Sequence, residues 1–261
     1  MLNPLRIIIT LLLTAATLNS TAAPTTTHTD STATATANAE YERLAQRAQR
    51  FFHYREWSSA GAMYTLMLQK HPDVCDTYAH AIVAAEMLDD TLHTSQLTVS
   101  ALNSRIPVDS LFSGVEKISF SIGRTSLYER YLLFTQRNQS WLSRIIDTYL
   151  MRYYTYRRYG PGMVRYSSAI LSRLPDDIAA LYTLAQGYLI TGETTRAIDT
   201  YLRITTLDPQ QYLALLYLGN YYASKADNDP AARHDAIIYL TRAHNLHPTP
   251  YTESALRKLI P

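Results

Sequence analysis

The chain has 261 residues, 47% of them hydrophobic and 18% charged, enough to build a sizeable core. Eight glycines against 21 tyrosines favour helices over a turn-rich β fold, and a net charge of +2 is too small to mark the whole chain as a polyanion binder.

Residues 1–22 have the form of a secretory signal peptide. Arg6 supplies the positive start, and Ile7 to Ala16 is an apolar core well short of the ~20 residues that span a bilayer. Ser20, Thr21 and Ala22 offer small residues for cleavage. Export is therefore expected, to the periplasm or, alternatively, to the medium, with no transmembrane helix in the mature chain. Residues 23–39 are nearly all Thr and Ala, too poor in large apolar side chains to fold, and are expected to form a disordered tether. Residues 40–261 carry the folded part. Cys75 is the only cysteine, so no internal disulfide forms, and the absence of a cationic neighbour favours an inert role.

From residue 41 onward the apolar pattern repeats. In 41–74, Leu44, Ala48 and Phe51 share one helix face, and Ala60, Tyr64 and Met67 share a second. The segment 75–109 repeats this with Tyr78, Ala81, Ile82 and Ala85. One extra turn residue is then expected to bring Ser95, Val99 and Leu102 into register. The segments 110–143 and 144–177 are divergent. Val115, Ile118 and Ser119 make one face and Leu127, Tyr131 and Phe134 another, without one shared register. Met151 and Met163 stand where small residues belong, and Gly160-Pro161-Gly162 is expected to form the turn between the fourth pair of helices.

The segment 178–211 is the clearest. Leu181, Leu184, Ala185, Tyr188, Gly192, Ala197, Tyr201, Ile204 and Pro209 fall on one 34-residue template. Thr194 or Thr195 is expected to cap its second helix, and Asp208 to cap the helix that follows. In 212–250, Leu215, Leu218, Gly219 and Tyr222 repeat the first-helix pattern, and Ala236, Leu240 and Ala243 the second. Residues 251–260 form a last helix covering the open end of the stack.

On these residues the chain resembles the tetratricopeptide repeat (TPR) superfamily. The resemblance implies an all-α superhelix, or solenoid, of about six helical hairpins plus a C-terminal capping helix. It also implies a scaffold that binds a protein or peptide partner rather than an enzyme. The inner face, by that resemblance, is lined by Glu42, Ala45, Gln49 and Phe52; by Asp76, Ala79, Val83 and Glu86; by Ile145, Thr148, Arg152 and Thr155; by Ala179, Tyr182, Gln186 and Leu189; and by Leu213, Leu216, Asn220 and Ala223. A carboxylate clamp needs Lys where Leu216 stands, so Asn220 alone does not make one.

A second candidate surface lies between Arg124 and Arg173. Nine arginines face two acids, Glu129 and Asp147, with tyrosines interleaved. Tyr149, Arg152, Tyr153 and Tyr156 share one helical side and would suit an anionic ligand such as an acidic protein or a glycan. With an export signal, nucleic acid is not expected. No P-loop, zinc-protease or nucleophile-elbow motif occurs. No cofactor or metal is implied. The candidate partner-binding residues are thus Tyr149, Arg152, Tyr156, Tyr182, Gln186 and Asn220.

Overall fold

The structure, a computed structural model, describes residues 28–260. The signal peptide and residues 23–27 of the tether lie outside the described residues. Thirteen α-helices follow one another, with no strand among the described residues. They pair as hairpins: α1 (His28–His53) with α2 (Trp57–Lys70), α3 (Cys75–Met87) with α4 (Thr91–Asn103), and α5 (Val108–Ser121) with α6 (Thr125–Asn138). Then come α7 (Ser143–Arg157) with α8 (Gly160–Leu171), α9 (Ile178–Ile190) with α10 (Thr194–Leu207), and α11 (Tyr212–Ala223) with α12 (Pro230–Leu246). A terminal helix, α13 (Pro250–Leu259), packs on α12. This is the expected all-α stack of six hairpins and a capping helix.

Helix α1 begins at His28, inside the Thr- and Ala-rich stretch. Extension from a helix already formed over Tyr41–His53 avoids the cost of nucleation, which offsets the poor helix propensity of the Thr residues.

A left-handed residue closes five of the first helices. Gly123 (φ 71°) follows α5 and Gly192 (φ 83°) follows α9, and the same conformation falls on Arg55, Asp89 and Arg158 after α1, α3 and α7. Capping is more selective than expected. Asp90, Asp177 and Asp229 accept bonds from backbone N–H groups of α4, α9 and α12. Thr249 and Thr252 form a reciprocal capping box on α13. Helix α10, in contrast, starts after Glu193 with no side-chain cap, so neither Thr194 nor Thr195 plays that part. Asp208 folds back on Gln210 N–H (2.9 Å) and the Gln211 side chain (2.6 Å), a turn ahead of α11 rather than its cap. Gly160-Pro161-Gly162 is the first turn of α8, not the connection, because Pro at the first turn fits a helix start.

The middle of the chain corrects two register expectations. In α4 the buried face is Thr94, Leu97, Thr98 and Ala101, while Val99 is exposed. No extra turn residue is inserted there. In α5 the buried set is Leu111, Phe112, Val115, Ile118 and Ser119. Starting the unit at Val108 puts Leu111, Val115 and Ile118 in one register with Leu127 and Tyr131 of α6.

The joint between the second and third hairpins is made by α3, which packs against both α5 and α6. Small residues permit this close approach: a Cβ on Gly114 of α5 would stand 3.0 Å from the Ala79 Cβ of α3. Ala79, Val83 and Glu86, expected on the inner face, are therefore buried. Arg130 of α6 reaches across to Glu86 (2.7 Å) and Asp89 (2.5 Å), and also donates to the Glu86 carbonyl. Glu86 is only 2% exposed, so this pair supplies the compensation that a buried carboxylate requires.

The apolar interior has three parts. One runs from Ala48 to Ala180, a second from Leu181 to Leu218, and a third joins α12 to α13. Helix α9 faces the first two at once.

Candidate functional site

Where the apolar interior divides, a groove of about 570 Å³ opens on the stack. Three consecutive first helices supply most of it, with Met163 of α8 and Tyr201 of α10. Thr155 and Arg158 come from the end of α7, Tyr182, Gln186, Leu189 and Ile190 from α9, and Leu213, Leu216, Tyr217 and Asn220 from α11. Residues at equivalent turns of successive hairpins line up because each unit repeats the last one's geometry.

The floor is aromatic. Tyr182 meets Tyr201 edge-on at 5.9 Å, and Tyr201 stacks on Tyr217 at 4.4 Å. Burial raises the Tyr201 and Tyr217 hydroxyls above the ordinary phenol range. Leu213 and Ile190 stand at the rim, 53% and 45% exposed. Tyr251 of α13 donates to the Asn220 side-chain carbonyl at 2.9 Å. The lining mixes apolar and aromatic side chains with the Gln186 and Asn220 amides.

Tyr182, Gln186 and Asn220 thus come together in one groove. Tyr149, Arg152 and Tyr156 do not join them. Tyr149 is buried, and its hydroxyl donates to Asp109 Oδ1 at 2.8 Å; burial and that carboxylate push its pKa up to about 12. Tyr153 is buried too. The expected Arg–Tyr stripe is therefore not a continuous surface: period alone groups residues on one side but does not say whether a neighbour covers it. Arg152 is exposed, lies over the Tyr149 ring at 5.5 Å, and makes a loose 3.9 Å pair with Glu116. Tyr156 is exposed and tilted against Phe120 at 5.0 Å.

Other arginines of the segment are drawn into the structure. Arg130 holds Glu86, and Arg173 pairs with the buried Asp147 at 2.8 Å, where Gln136 is the second partner. Arg157, Arg158 and Arg165 instead border a second cavity of about 520 Å³, with Tyr153, Tyr154, Tyr159, Tyr166 and Glu129. Its single carboxylate, Glu129, accepts the Tyr154 hydroxyl at 2.5 Å.

Sequence reasoning missed Arg158, Met163, Ile190, Tyr201 and Tyr217 as groove residues. Arg158 had a visible signal: it occupies the place in its unit that Gly192 takes in the next. Cys75 is half-buried, and burial raises its thiol pKa, which fits an inert side chain. Among the described residues there is no group of three or more potential metal ligands, and no helix is long and apolar enough to cross a membrane.

No family model matches the chain, and no curated protein sequence matches it. Several solved structures are similar. The C-terminal part of a TPR repeat-containing protein from Cytophaga hutchinsonii is 14% identical over 81% of this chain and 98% of that one, TM-score 0.40. The PilF protein of Pseudomonas aeruginosa is 13% identical, covering 85% and 98%, TM-score 0.46. A tetratricopeptide repeat protein from Parabacteroides merdae is 13% identical, covering 85% and 84%, TM-score 0.41. Likenesses of this size fix no relationship; the chain's own hairpin period and stacking make it an all-α superhelix of TPR-like helical hairpins.

Proposed function

We propose that the chain is an exported, non-catalytic scaffold that docks an extended segment of a protein partner in the groove formed by α7, α9 and α11. The observation that carries this reading is the groove's lining. Exposed Leu213 and Ile190, the tyrosine floor and the Gln186 and Asn220 amides supply apolar burial and backbone hydrogen bonds along one strip. The compartment follows from the features of residues 1–22, with the periplasm as the expected destination.

The test is capture from an envelope extract with the full mature chain. A partner retained by the wild type should be lost with Tyr182→Ala combined with Leu213→Ser, at unchanged helical content. Undiminished capture by that variant would overturn the groove as the docking site. Fractionation of tagged full-length protein, with mass measurement of its N-terminus, should find it outside the cytoplasm and beginning at Ala23. A cytoplasmic, full-mass product would refute export.

Binding of an anionic ligand through the Arg124–Arg173 segment has one observation in its favour, the cavity bordered by Arg157, Arg158 and Arg165.

A further inference from the structure

Arg158 borders both cavities: it lines the inner groove and the Arg–Tyr cavity. Its backbone is left-handed (φ 49°, ψ 39°), the conformation that ends α7 and turns the chain toward α8. Arg55 and Asp89 take the same conformation at the equivalent turns. The two cavities meet at this residue.

The charge balance of the second cavity is uneven. Arg157, Arg158 and Arg165 have no carboxylate within ion-pair distance among the described residues. Arg157 donates only to the Thr125 hydroxyl, at 3.2 Å, and Arg165 lies over the Tyr166 ring at 5.4 Å. Glu129 is the one acid in the lining and is already bonded to Tyr154. Three guanidinium groups against one carboxylate leave an excess of two positive charges. Arg124 and Arg130 also share a cavity, but there Glu86 and Asp89 balance their charge.

We infer that the two cavities form one composite site, which takes a partner segment whose apolar residues lie in the groove and whose adjacent pair of carboxylates enters the Arg157–Arg158–Arg165 cavity. This rests on the groove reading above and adds the chemical class of the segment. The inner-face positions of the first helices do not supply the carboxylate recognition. It comes from the α7–α8 connection, where Arg158 stands at the bend and Arg157 and Arg165 flank it. Guanidinium groups suit this role because their planar donors pair with a carboxylate through two bonds. The Tyr154 and Tyr159 rings beside them give the methylene groups of Asp and Glu an apolar wall.

The experiment uses the full mature chain and two synthetic peptide pools. Both carry the same randomised apolar and aromatic half. One continues into an Asp-Glu pair and the other into Asn-Gln. Binding is read by fluorescence anisotropy at low and high salt. The acidic pool should bind about tenfold more tightly at low salt, as two partly exposed charge pairs allow, and the difference should shrink as salt rises. Arg158→Gly together with Arg157→Gln should reduce the acidic pool to the level of the neutral one. Glycine relieves the left-handed backbone, so loss of preference with an undiminished melting temperature cannot be ascribed to unfolding. Leu213→Ser should weaken both pools.

Equal binding of the two pools by the wild type would overturn the composite site while leaving the groove in place. So would a preference that survives the arginine changes. An acidic preference indifferent to Leu213→Ser would separate the two cavities and equally refute it. Binding of neither pool would defeat the groove reading as well.

Discussion

The joint between α3 and α6 gives the sharpest test of how the stack is held. Glu86 is 2% exposed, and Arg130 is its only ion-pair partner among the described residues. Arg130→Met keeps the apolar stem and removes the charge. It strands a carboxylate in a closed site and also removes the bond to the Glu86 carbonyl. Loss of one member of a buried pair costs about 3–5 kcal/mol. Arg130 itself is 45% exposed, so water reaches part of the site and the lower end, ~3 kcal/mol, is expected. Against a total of ~5–15 kcal/mol for a domain, that is a large fraction. Urea unfolding followed by far-ultraviolet circular dichroism measures it, with fluorescence of Trp57 and Trp141 as a second probe for departures from two-state behaviour. Glu86→Gln placed in the Arg130→Met chain should recover most of the loss, because a neutral amide no longer needs a cation. A cost under ~1 kcal/mol for Arg130→Met, or two losses that simply add, would refute the pair as the fastener of this joint.

Other outcomes follow from the geometry. Gly192→Ala meets no atom within 4 Å, so its cost is conformational alone, ~1–2 kcal/mol, whereas Arg55→Gly at the equivalent turn should stabilise by up to ~1 kcal/mol; denaturant midpoints measure both. A Cβ at Gly219 would sit 2.7 Å from the Leu240 Cγ, so Gly219→Ala should force α11 and α12 apart at ~1–3 kcal/mol, read in the same way. Burial holds Tyr149 and Tyr153 protonated to about pH 12 in the folded chain, against about 10 when unfolded. The native state thus keeps protons that the unfolded chain loses. Stability should be intact below pH 10 and fall as pH rises from 10 toward 12, with late tyrosine ionisation at 295 nm in the native protein.

Much of the stack was legible because first-helix contacts are local. Leu181, Ala185 and Ala197 repeat at spacings that only a packed hairpin needs, and all three are buried to 1% or less. The middle hairpins hid their register because the small residues moved. Met151 and Met163 fill the expected small positions, and the close approach passes to glycines elsewhere. A Cβ on Gly162 would lie 2.4 Å from the Tyr154 ring, and one on Gly187 would lie 2.9 Å from Val164. The Glu86–Arg130 pair spans 44 residues and leaves no periodic trace, so the burial of the second unit's inner face was beyond sequence reasoning.

The site divides in the same way. Tyr182, Gln186 and Asn220 were readable from unit position, since equivalent turns of stacked hairpins align. Tyr149 was misplaced because a helical side holding arginines and tyrosines looks the same whether Asp109 and Phe112 cover part of it or not. Tyrosine is ambiguous here by nature: its ring packs and its hydroxyl bonds, so it serves a core as readily as a surface.

Site-specific photo-crosslinking in living cells tests the central claim most directly. A photoreactive residue placed at Leu213 or Ile190, on the groove rim, should give a discrete adduct with one protein partner. The same residue at Ile238, equally apolar and exposed on the second helix α12, should give none. Adducts at Ile238 with nothing at Leu213 and Ile190 would contradict the account.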